Sequence, residues 1–430
     1  MINFIFYVEV CMPRSSEKNQ NYIDELINMG CADKNSMLRP HNSDIPKMVK
    51  TPRTNDEFVN KRWKAMGYES APVALYDEND KALIESYSKN VEYGIGTVKV
   101  PVGIAGPLRI NGIHAQGDFM IPLATTEAAL VASYHRGSCL ITKAGGASSA
   151  LLSESVCRSP GFAFKTIMEA GTFIAWATQE YDNFVKIANA TSRFGKLIDM
   201  KINMEANHVY MCFEYTTGDA SGQNMVTIAT NAIYEHILKN SPVTPDYAFL
   251  EANFSGDKKA SAMSFLGVRG KKVTTEVNIS KELIHSMLHT TPERMLDYWN
   301  MSALGGVMSG TIGVQGHFAN GLAAFYIATG QDAACVAESA VGITRFEINE
   351  EGGLYASVTL PNIMVGSVGG GTGLASQKAC LDIMGLSGTG KARALSEVIS
   401  AVCLAGELSI IGALSANHFA NAHQSLARGK

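Results

Sequence analysis

The stretch Pro122-Leu-Ala-Thr-Thr-Glu-Ala-Ala-Leu-Val-Ala-Ser-Tyr-His-Arg-Gly137 places one carboxylate before a run of small, apolar residues. Thr125 or Thr126 can cap a helix, because a side-chain oxygen there accepts an orphan backbone N–H. Glu127 then falls in the first turn, where the helix dipole favours a carboxylate. Alone, the stretch predicts only a capped helix start. The alternative is a carboxyl group at the edge of a dry core that is available for proton transfer, and stretches further along the chain favour it.

The composition is that of an ordinary globular protein. The 430 residues are 46% hydrophobic and 18% charged, which allows two domains with sizeable cores. The formal net charge of -4 gives no reason to expect nucleic acid as a partner. No segment reaches about 18 uninterrupted apolar residues, and the run Ile2–Val8 lacks the basic residues of a signal peptide. We therefore expect no membrane partner and a cytoplasmic location.

The cysteines suggest neither a metal site nor a disulfide framework. All eight stand singly, without a CxxC pair: Cys11, Cys31, Cys139, Cys157, Cys212, Cys335, Cys380 and Cys403. Most lie in apolar surroundings, which predicts buried free thiols in a reducing compartment. His418 and His423, five apart, do not have the spacing of helical metal ligands either.

The pattern of elements predicts a small domain inserted into a larger one. Between Gly161 and Phe249 the order is β-α-β-β-α, typical of a small α+β domain. The elements are a strand over Phe162–Ile167, a helix over Glu169–Asn189, strands over Leu197–Asn203 and His208–Tyr215, and a helix over Asn224–Lys239. We therefore predict an N-terminal extension (1–54), a large domain (55–160 and 250–430) and a small domain (161–249).

Helical spacing is clear in several parts of the larger domain. The predicted helices are Asn55–Met66, Asp80–Ser88, Lys281–Leu288, Leu374–Met384 and about Lys391 to Asn417. The last is apolar nearly all round and should be buried. Between the last two helices, Gly385-Leu-Ser-Gly-Thr-Gly-Lys-Ala392 nearly matches a phosphate-binding P-loop. Ala392 replaces the required Ser or Thr, and a helix rather than a strand precedes it, so a linker is the better interpretation.

Four short stretches carry polar groups that a packed core would not choose: Glu127, Asp257-Lys258-Lys259, Gln331-Asp332 and His423. Taken alone, each stretch can also be explained without a function, as a solvated turn, the start of a helix or a tail on the surface. They lie among the motifs Pro101-Val-Gly-Ile-Ala-Gly-Pro107, Gly218-Asp-Ala-Ser-Gly-Gln-Asn-Met225, Gly256-Asp-Lys-Lys259, Gly330-Gln-Asp-Ala-Ala334 and Ser367-Val-Gly-Gly-Gly-Thr372. From about Glu92 to Arg428 this set resembles the catalytic domain of class I 3-hydroxy-3-methylglutaryl-CoA (HMG-CoA) reductase.

The resemblance implies a fold, a reaction and an assembly. The fold is α/β (α+β), with a large, mostly helical domain that binds CoA and substrate and an inserted, small, ferredoxin-like domain that binds NADP. The reaction is the NADPH-dependent, four-electron reduction of an acyl-CoA thioester to a primary alcohol with release of CoA. The family default is HMG-CoA to mevalonate, a step of isoprenoid biosynthesis. A homodimer or homotetramer with active sites at subunit interfaces is expected.

The resemblance also implies catalytic roles for four side chains. Lys258 would supply a fixed cation for the tetrahedral oxyanion. His423 would protonate the leaving thiolate. Glu127 would protonate the aldehyde oxygen and would need burial to favour its protonated form. Asp332, between lysine and glutamate, would be coupled to both.

Further residues match the family's binding segments. Thr191-Ser-Arg-Phe194 resembles the part that contacts the 2′-phosphate of NADPH, so Arg193 indicates NADP over NAD. The implied cofactor-binding residues are Ser192, Arg193, Phe194, Asp219, Ala220, Ser221, Gly222, Gln223, Asn224, Met225, Gly369, Gly370, Gly371 and Thr372. The implied substrate-binding positions are Ser133, Arg158, Glu251, Lys259, Asn300 and Asn320.

Two of these positions depart from the family pattern. Asn300 stands where the family has a lysine and Glu251 where it has a serine, so the pocket for the substrate's free carboxylate loses a cation and gains an anion. This predicts poor reduction of HMG-CoA or preference for another acyl thioester, on CoA or on a carrier protein. Local realignment, or a neighbouring cation that meets Glu251, is the alternative. A non-catalytic CoA-binding scaffold is a third possibility, which the presence of all four catalytic residue types disfavours.

Overall fold

The computed structural model describes residues 48–416 and Asp24. His423 and most of the predicted N-terminal extension lie outside these residues. The described chain divides into two compact units. The smaller comprises residues 48–85 and 92–96, and the larger comprises residues 86–91 and 97–416.

The small unit is organised around a buried arginine. Helix α1 (Asp56–Ala65) begins after Asn55, whose side chain accepts the N–H of Phe58 at 3.0 Å. Arg62 of this helix is buried and donates to the carbonyls of Gly94 and Thr51, at 2.8 Å each. Backbone acceptors therefore satisfy a charge that would otherwise be costly to bury. Helix α2 (Glu78–Tyr87) follows, and its residues up to Glu85 belong to this unit.

The large unit is built on one 11-stranded sheet. Its strands are β1 (Val102–Gly112), β2 (Gln116–Ala124), β3 (Ala147–Arg158), β4 (Gly161–Ala163), β5 (Lys196–Glu205), β6 (His208–Thr216), β7 (Tyr247–Phe249), β8 (Gly270–Ile279), β9 (Gly313–Val314), β10 (Gly342–Ile348) and β11 (Leu354–Ile363). The main order is β7-β4-β6-β3-β8-β11-β10-β9; β1 pairs with β2 and β3, and β5 pairs with β6. Strand β3 pairs with β8 along its first part and with β6 at its end, so it joins the two parts of the sheet.

Ten helices complete the large unit as described: α3 (Leu130–Lys143), α4 (Ile167–Gln179), α5 (Tyr181–Ala190), α6 (Gln223–Asn240), α7 (Lys281–Leu288), α8 (Pro292–Ser309), α9 (Phe318–Thr329), α10 (Val336–Ser339), α11 (Ala375–Ile383) and α12 (Ala392–Ser415). Helix α12 is long and apolar enough to cross a membrane, but 89% of its most apolar stretch is buried inside the protein. It packs against α3, α9, β8 and β11 and forms the centre of the core.

The predicted mixed fold is confirmed. Residues between β4 and β7 follow the predicted β-α-β-β-α order, although the first helix is divided into α4 and α5 at Glu180. The larger part contains strands β1–β3 and β8–β11 as well as helices. The limits of the inserted domain at residues 161 and 249 remain a prediction.

The predicted helix start at Thr125 or Thr126 is wrong. Strand β2 continues to Ala124, and the Thr125 N–H still bonds the Pro101 carbonyl at 3.1 Å. The Thr125 hydroxyl accepts the N–H of Glu127 at 3.0 Å, so it closes a turn rather than capping a helix. Helix α3 begins only at Leu130, after Ala129 with a φ of 69°. Glu127 therefore lies in the loop before the helix.

Candidate active site

Lys258 and Asp332 meet, as the sequence predicts. Lys258 lies in the turn Gly256–Lys259 with a φ of 58°, and Asp332 follows Gly330, the residue that ends α9. The Lys258 Nζ lies 3.0 Å from Asp332 Oδ2. The other Asp332 oxygen accepts the N–H of Ala334 at 3.0 Å, which holds the carboxylate in place.

This contact keeps the lysine charged. The hydrogen bond to Asp332 raises the pKa of Lys258 above its ordinary value, while desolvation acts in the opposite direction. An ammonium group with a raised pKa is fully protonated at neutral pH. The pair therefore offers the fixed cation that a developing oxyanion requires.

A buried charge network holds the residue before Lys258. Asp257 Oδ2 lies 3.0 Å from Arg158 Nη1, and Asp257 Oδ1 lies 2.9 Å from Arg269 Nη2. Arg269 also pairs with the fully buried Glu338. Burial alone would raise the pKa of Asp257, but the charges of Arg269 and Arg158 hold it below its usual range. The sequence alone did not indicate Arg269 or Glu338. Neither has a partner at a fixed spacing along the chain.

Arg158 is shared by two carboxylates. Besides Asp257, Glu251 Oε2 lies 3.3 Å from Arg158 Nη1. The other Glu251 oxygen accepts the Asn253 N–H at 2.9 Å and the Ser255 hydroxyl at 3.1 Å. These contacts match the alternative in which a neighbouring cation, here Arg158, pairs with Glu251.

Two further predicted substrate-binding positions, Lys259 and Asn300, form no hydrogen bond or ion pair with the Glu251 carboxylate among the described residues. The Lys259 Nζ donates to the Asp257 carbonyl at 2.7 Å. Asn300 is exposed on α8, and no hydrogen bond in the described part of the chain joins it to Arg158.

Glu127 opens onto a separate cavity of about 540 Å³. Its wall combines apolar side chains of α3 and α12 with Ser133, Arg136, His317 and Asn320. The Asn320 amide lies 3.4 Å from each carboxylate oxygen of Glu127. Glu127 itself is exposed, so the expected position at the edge of a dry core is wrong for the single chain.

A buried carboxylate holds Gly316 and His317, two residues of this cavity's wall, in place. Glu407 of α12 is fully buried and accepts the N–H groups of Gly316 and His317 at 2.7 and 2.9 Å. Its Oε1 also lies 3.3 Å from His317 Nδ1. The predicted buried helix from about Lys391 to Asn417 contains this glutamate, but the sequence did not show that it anchors the start of α9.

The two predicted cofactor segments converge on a second cavity, of about 800 Å³, whose wall includes Asp332. The Ser367 N–H bonds the Asp219 carbonyl at 2.8 Å, and Ala220 bridges to Val368. Residues 220–225 and 369–372 line the cavity. The Asp219 carboxylate instead accepts the N–H groups of Gly390 and Ala392 at 2.7 and 3.1 Å, so it positions the segment.

These segments fit a dinucleotide. Gly222, with a φ of 80°, precedes the 18-residue helix α6, whose first N–H groups are at the cavity. Helix N-termini of this kind favour phosphate groups. Gly369 and Gly370 have φ values of 77° and 53°, and an added Cβ at either would meet no atom within 4 Å. The cavity volume is in the range of small-molecule and cofactor sites.

The predicted 2′-phosphate segment lies near the start of α6. The Ser192 hydroxyl accepts the N–H groups of Phe194 and Gly195, each at 3.1 Å. The guanidinium of Arg193 is exposed and lies 5.7 Å from the Phe194 ring centroid. Gly195 packs so closely on Met225 that an added Cβ would lie 2.7 Å from its sulfur.

The predicted catalytic residues are therefore brought together only in part. Asn320 is in the first turn of α9, whereas Asp332 follows its last residue. Because an α-helix rises 1.5 Å per residue, the two ends of α9 are roughly 15 Å apart. No hydrogen bond or ion pair among residues 48–416 joins Glu127 to the Lys258–Asp332 pair.

Comparison with known proteins identifies the family. The sequence model described as hydroxymethylglutaryl-coenzyme A reductase matches residues 58–428. The 3-hydroxy-3-methylglutaryl-coenzyme A reductase of Methanothermobacter thermautotrophicus is 41% identical over 343 residues, 79% of this chain and 86% of the relative. That of Methanocaldococcus jannaschii is 38% identical over 377 residues, 86% of this chain and 91% of the relative.

Solved structures share the fold. The class II 3-hydroxy-3-methylglutaryl-CoA reductase of Streptococcus pneumoniae bound to NADPH superimposes with a TM-score of 0.61 at 19% identity, over 84% of this chain and 97% of the other. The sequence match confirms the predicted enzyme class, an NADP-dependent oxidoreductase. Because the family model covers most of its length, the chain belongs to the hydroxymethylglutaryl-coenzyme A reductase family.

Proposed function

We propose that this chain reduces HMG-CoA to mevalonate and CoA with two molecules of NADPH. The observation that carries the proposal is the position of Asp332. Its carboxylate lies 3.0 Å from the Lys258 Nζ, and the same residue lines the cavity formed by both cofactor segments. A fixed cation thus lies beside a cavity that suits a dinucleotide, in a chain whose relatives carry the name of this reductase.

The residues around that cavity bind NADPH, which supplies hydride when bound. Gly222 and the first N–H groups of α6 would hold its phosphates, and exposed Arg193 would hold the 2′-phosphate. Lys258 stabilises negative charge on the substrate's carbonyl oxygen, because Asp332 keeps its ammonium protonated. Glu127, oriented by Asn320, donates a proton to the aldehyde oxygen. His423, outside the described residues, is proposed to protonate the CoA thiolate.

A second copy of the chain completes the site. In one chain Glu127 is exposed and separate from Lys258, so neither cavity holds all the proposed groups. Helix α8 leaves an apolar surface on the outside, with Met301, Leu304, Val307 and Met308 between 62% and 77% exposed. Exposed apolar surface of this kind marks an interface. We assign a homodimer, or a tetramer of such dimers, in which the partner subunit's Glu127 faces Lys258.

The same comparisons support a finer assignment, the class of the enzyme. The archaeal relatives are near 40% identical, whereas the class II structural neighbour is 19% identical, which supports class I. We also propose the domain limits given above and a cytoplasmic location.

The departures at Glu251 and Asn300 adjust affinity and do not change the reaction. The relatives named as HMG-CoA reductases do not favour a different acyl thioester. Arg158 is the proposed partner of the substrate's free carboxylate, and Glu251 competes for it at 3.3 Å. A raised KM for HMG-CoA is therefore expected.

The direct test is NADPH oxidation with HMG-CoA as substrate. Two NADPH consumed for each CoA thiol released, with mevalonate as product, would support the proposal. The Lys258→Ala variant should lose activity about 10²–10³-fold, whereas Lys281→Ala, which changes an exposed lysine at the start of α7, should match the unmodified enzyme. A Lys258→Ala variant as active as the unmodified enzyme, or no thiol release from HMG-CoA, would contradict it.

A further inference from the structure

Two cysteines outside the proposed active site face each other across the sheet. Cys157 of β3 is opposite Glu214 of β6, so Cys212, two residues from Glu214, is its diagonal neighbour on the same face. Diagonal neighbours have Cα atoms roughly 7–8 Å apart, with Cβ atoms closer. Both side chains line a cavity of about 230 Å³. The proposed reductase chemistry uses neither thiol.

The two thiols differ in surroundings. Cys157 is buried and donates to the Ser255 carbonyl, with sulfur and oxygen 3.6 Å apart. Cys212 is partly exposed and is opposite Lys201 of β5. The neighbouring Cys212 and burial raise the pKa of the Cys157 thiol, and the neighbouring Cys157 lowers the pKa of the Cys212 thiol. The Ser159 hydroxyl and Lys201 also lower the pKa of Cys212, against desolvation and Glu214.

The other thiols of the described chain lack this arrangement. Cys335, Cys380 and Cys403 are buried. Cys139 is partly exposed, but its contact is His135, with sulfur 3.6 Å from Nε2. Residues 48–416 thus hold one pair in which an accessible thiol with thiolate character faces a buried thiol, the arrangement that favours oxidation.

We propose that Cys212 and Cys157 form a peroxide-reactive dithiol site. The Cys212 thiolate attacks one oxygen of hydrogen peroxide, the O–O bond breaks, and sulfenic acid and hydroxide form. The Cys157 sulfur then attacks the Cys212 sulfur and the S–O bond breaks. With protons from the Cys157 thiol and from solvent, the products are one disulfide and two waters. Two thiols are oxidised and one peroxide is reduced.

The disulfide would affect the Lys258 turn. Once oxidised, Cys157 has no S–H to donate to Ser255. The Ser255 hydroxyl accepts the Asp257 N–H at 3.3 Å and donates to Glu251 at 3.1 Å, so it supports the residue before Lys258. A Cα spacing of roughly 7–8 Å is above the usual range for a disulfide, so the two strands must move closer together for the bond to form. A decrease in reductase turnover follows. This consequence rests on the proposed function, whereas the thiol chemistry does not.

Mass spectrometry of the full chain treated with hydrogen peroxide tests the site. The expected product is a peptide pair joined through Cys157 and Cys212, with loss of two hydrogens. In Cys157→Ser, Cys212 should stop at sulfenic acid and be trapped by dimedone. Cys212→Ser should yield neither product, and the control Cys139→Ser should behave like the unmodified chain. Oxidation that bypasses Cys212, or no disulfide at peroxide levels that oxidise Cys212, would overturn the proposal.

The kcat of the reductase before and after peroxide treatment tests whether the disulfide affects the Lys258 turn. Oxidation should lower kcat by roughly tenfold, because small misplacements of a catalytic group are costly. Dithiothreitol should restore it, and Cys212→Ser should resist the loss. A disulfide with unchanged kcat would refute the link to the Lys258 turn. If the reduced chain does not oxidise NADPH at all, the proposed function fails, while the mass measurement still decides the dithiol site.

Discussion

Removing the charge of Glu251 should improve the binding of HMG-CoA. The change Glu251→Gln keeps a carbonyl oxygen that can accept from the Asn253 N–H and the Ser255 hydroxyl, and it loses the longer, 3.3 Å hydrogen bond from the Ser159 N–H. It removes the negative charge that lies 3.3 Å from Arg158. Arg158 would then carry one competing carboxylate, Asp257, instead of two.

The size of the effect follows from Coulomb's law. A substrate carboxylate on the far side of the guanidinium would lie about 7 Å from Glu251, where two like charges repel by about 2 kcal/mol at an effective dielectric constant of about 20. The Glu251 side chain is 30% exposed, and solvent screening should roughly halve this energy. About 1 kcal/mol remains, which corresponds to a roughly fivefold lower KM.

Steady-state NADPH oxidation at varied HMG-CoA is the assay. The KM for HMG-CoA should fall while kcat and the KM for NADPH stay constant, because the lost repulsion acts on the substrate's tail in ground and transition states alike. Glu205→Gln, which changes an exposed glutamate at the end of β5, is the matched control. An unchanged or higher KM in Glu251→Gln would refute the assignment of Arg158 and Glu251 to the carboxylate pocket.

Three further changes test the other proposed groups. Lys258→Ala should lower kcat about 10²–10³-fold, as for loss of an oxyanion donor, while CoA affinity measured by calorimetry stays the same; loss of CoA binding would indicate a structural defect instead. In Asp332→Asn the contact that raises the pKa of Lys258 is lost. Because the protonated lysine is the active form, the alkaline limb of the residual kcat/KM profile should move to lower pH. An alkaline limb at unchanged pH would show that Asp332 does not raise the pKa of Lys258. Arg193→Ala should raise the KM for NADPH about tenfold and leave that for NADH unchanged, because only NADPH has the phosphate that the guanidinium binds; equal effects on both would exclude this role.

Periodicity and turn chemistry were sufficient for much of the fold. The predicted limits of the helix Lys281–Leu288 match α7, where Ser280 caps the first turn and Leu283 donates to its hydroxyl. The predicted linker Gly385–Ala392 does connect α11 to α12 rather than following a strand. At Thr125 the prediction failed because a hydroxyl that can cap a helix can also close a turn, and the pairing of β1 with β2 up to Ala124 decided between them.

The candidate active site could also be predicted from the sequence only in part. The contact between Lys258 and Asp332 could be predicted because each lies in a recognisable family segment. The network of Arg269, Asp257 and Glu338 could not, because its members are distant in sequence and are adjacent only after β8 and α10 have packed. The exposure of Glu127 was also beyond sequence reasoning, since local periodicity says nothing about which surfaces a second copy covers.

The central claim is that Glu127 and Lys258 act in one site although they belong to different subunits. Subunit complementation tests it directly: nearly inactive Glu127→Gln and Lys258→Ala chains are mixed, dissociated and reassociated, and NADPH oxidation with HMG-CoA is measured. Half of random dimers are mixed and each mixed dimer has one intact site, so about a quarter of the unmodified activity should return. If the mixture stays nearly inactive although mixed dimers form, both groups serve the same subunit's site and the account is wrong.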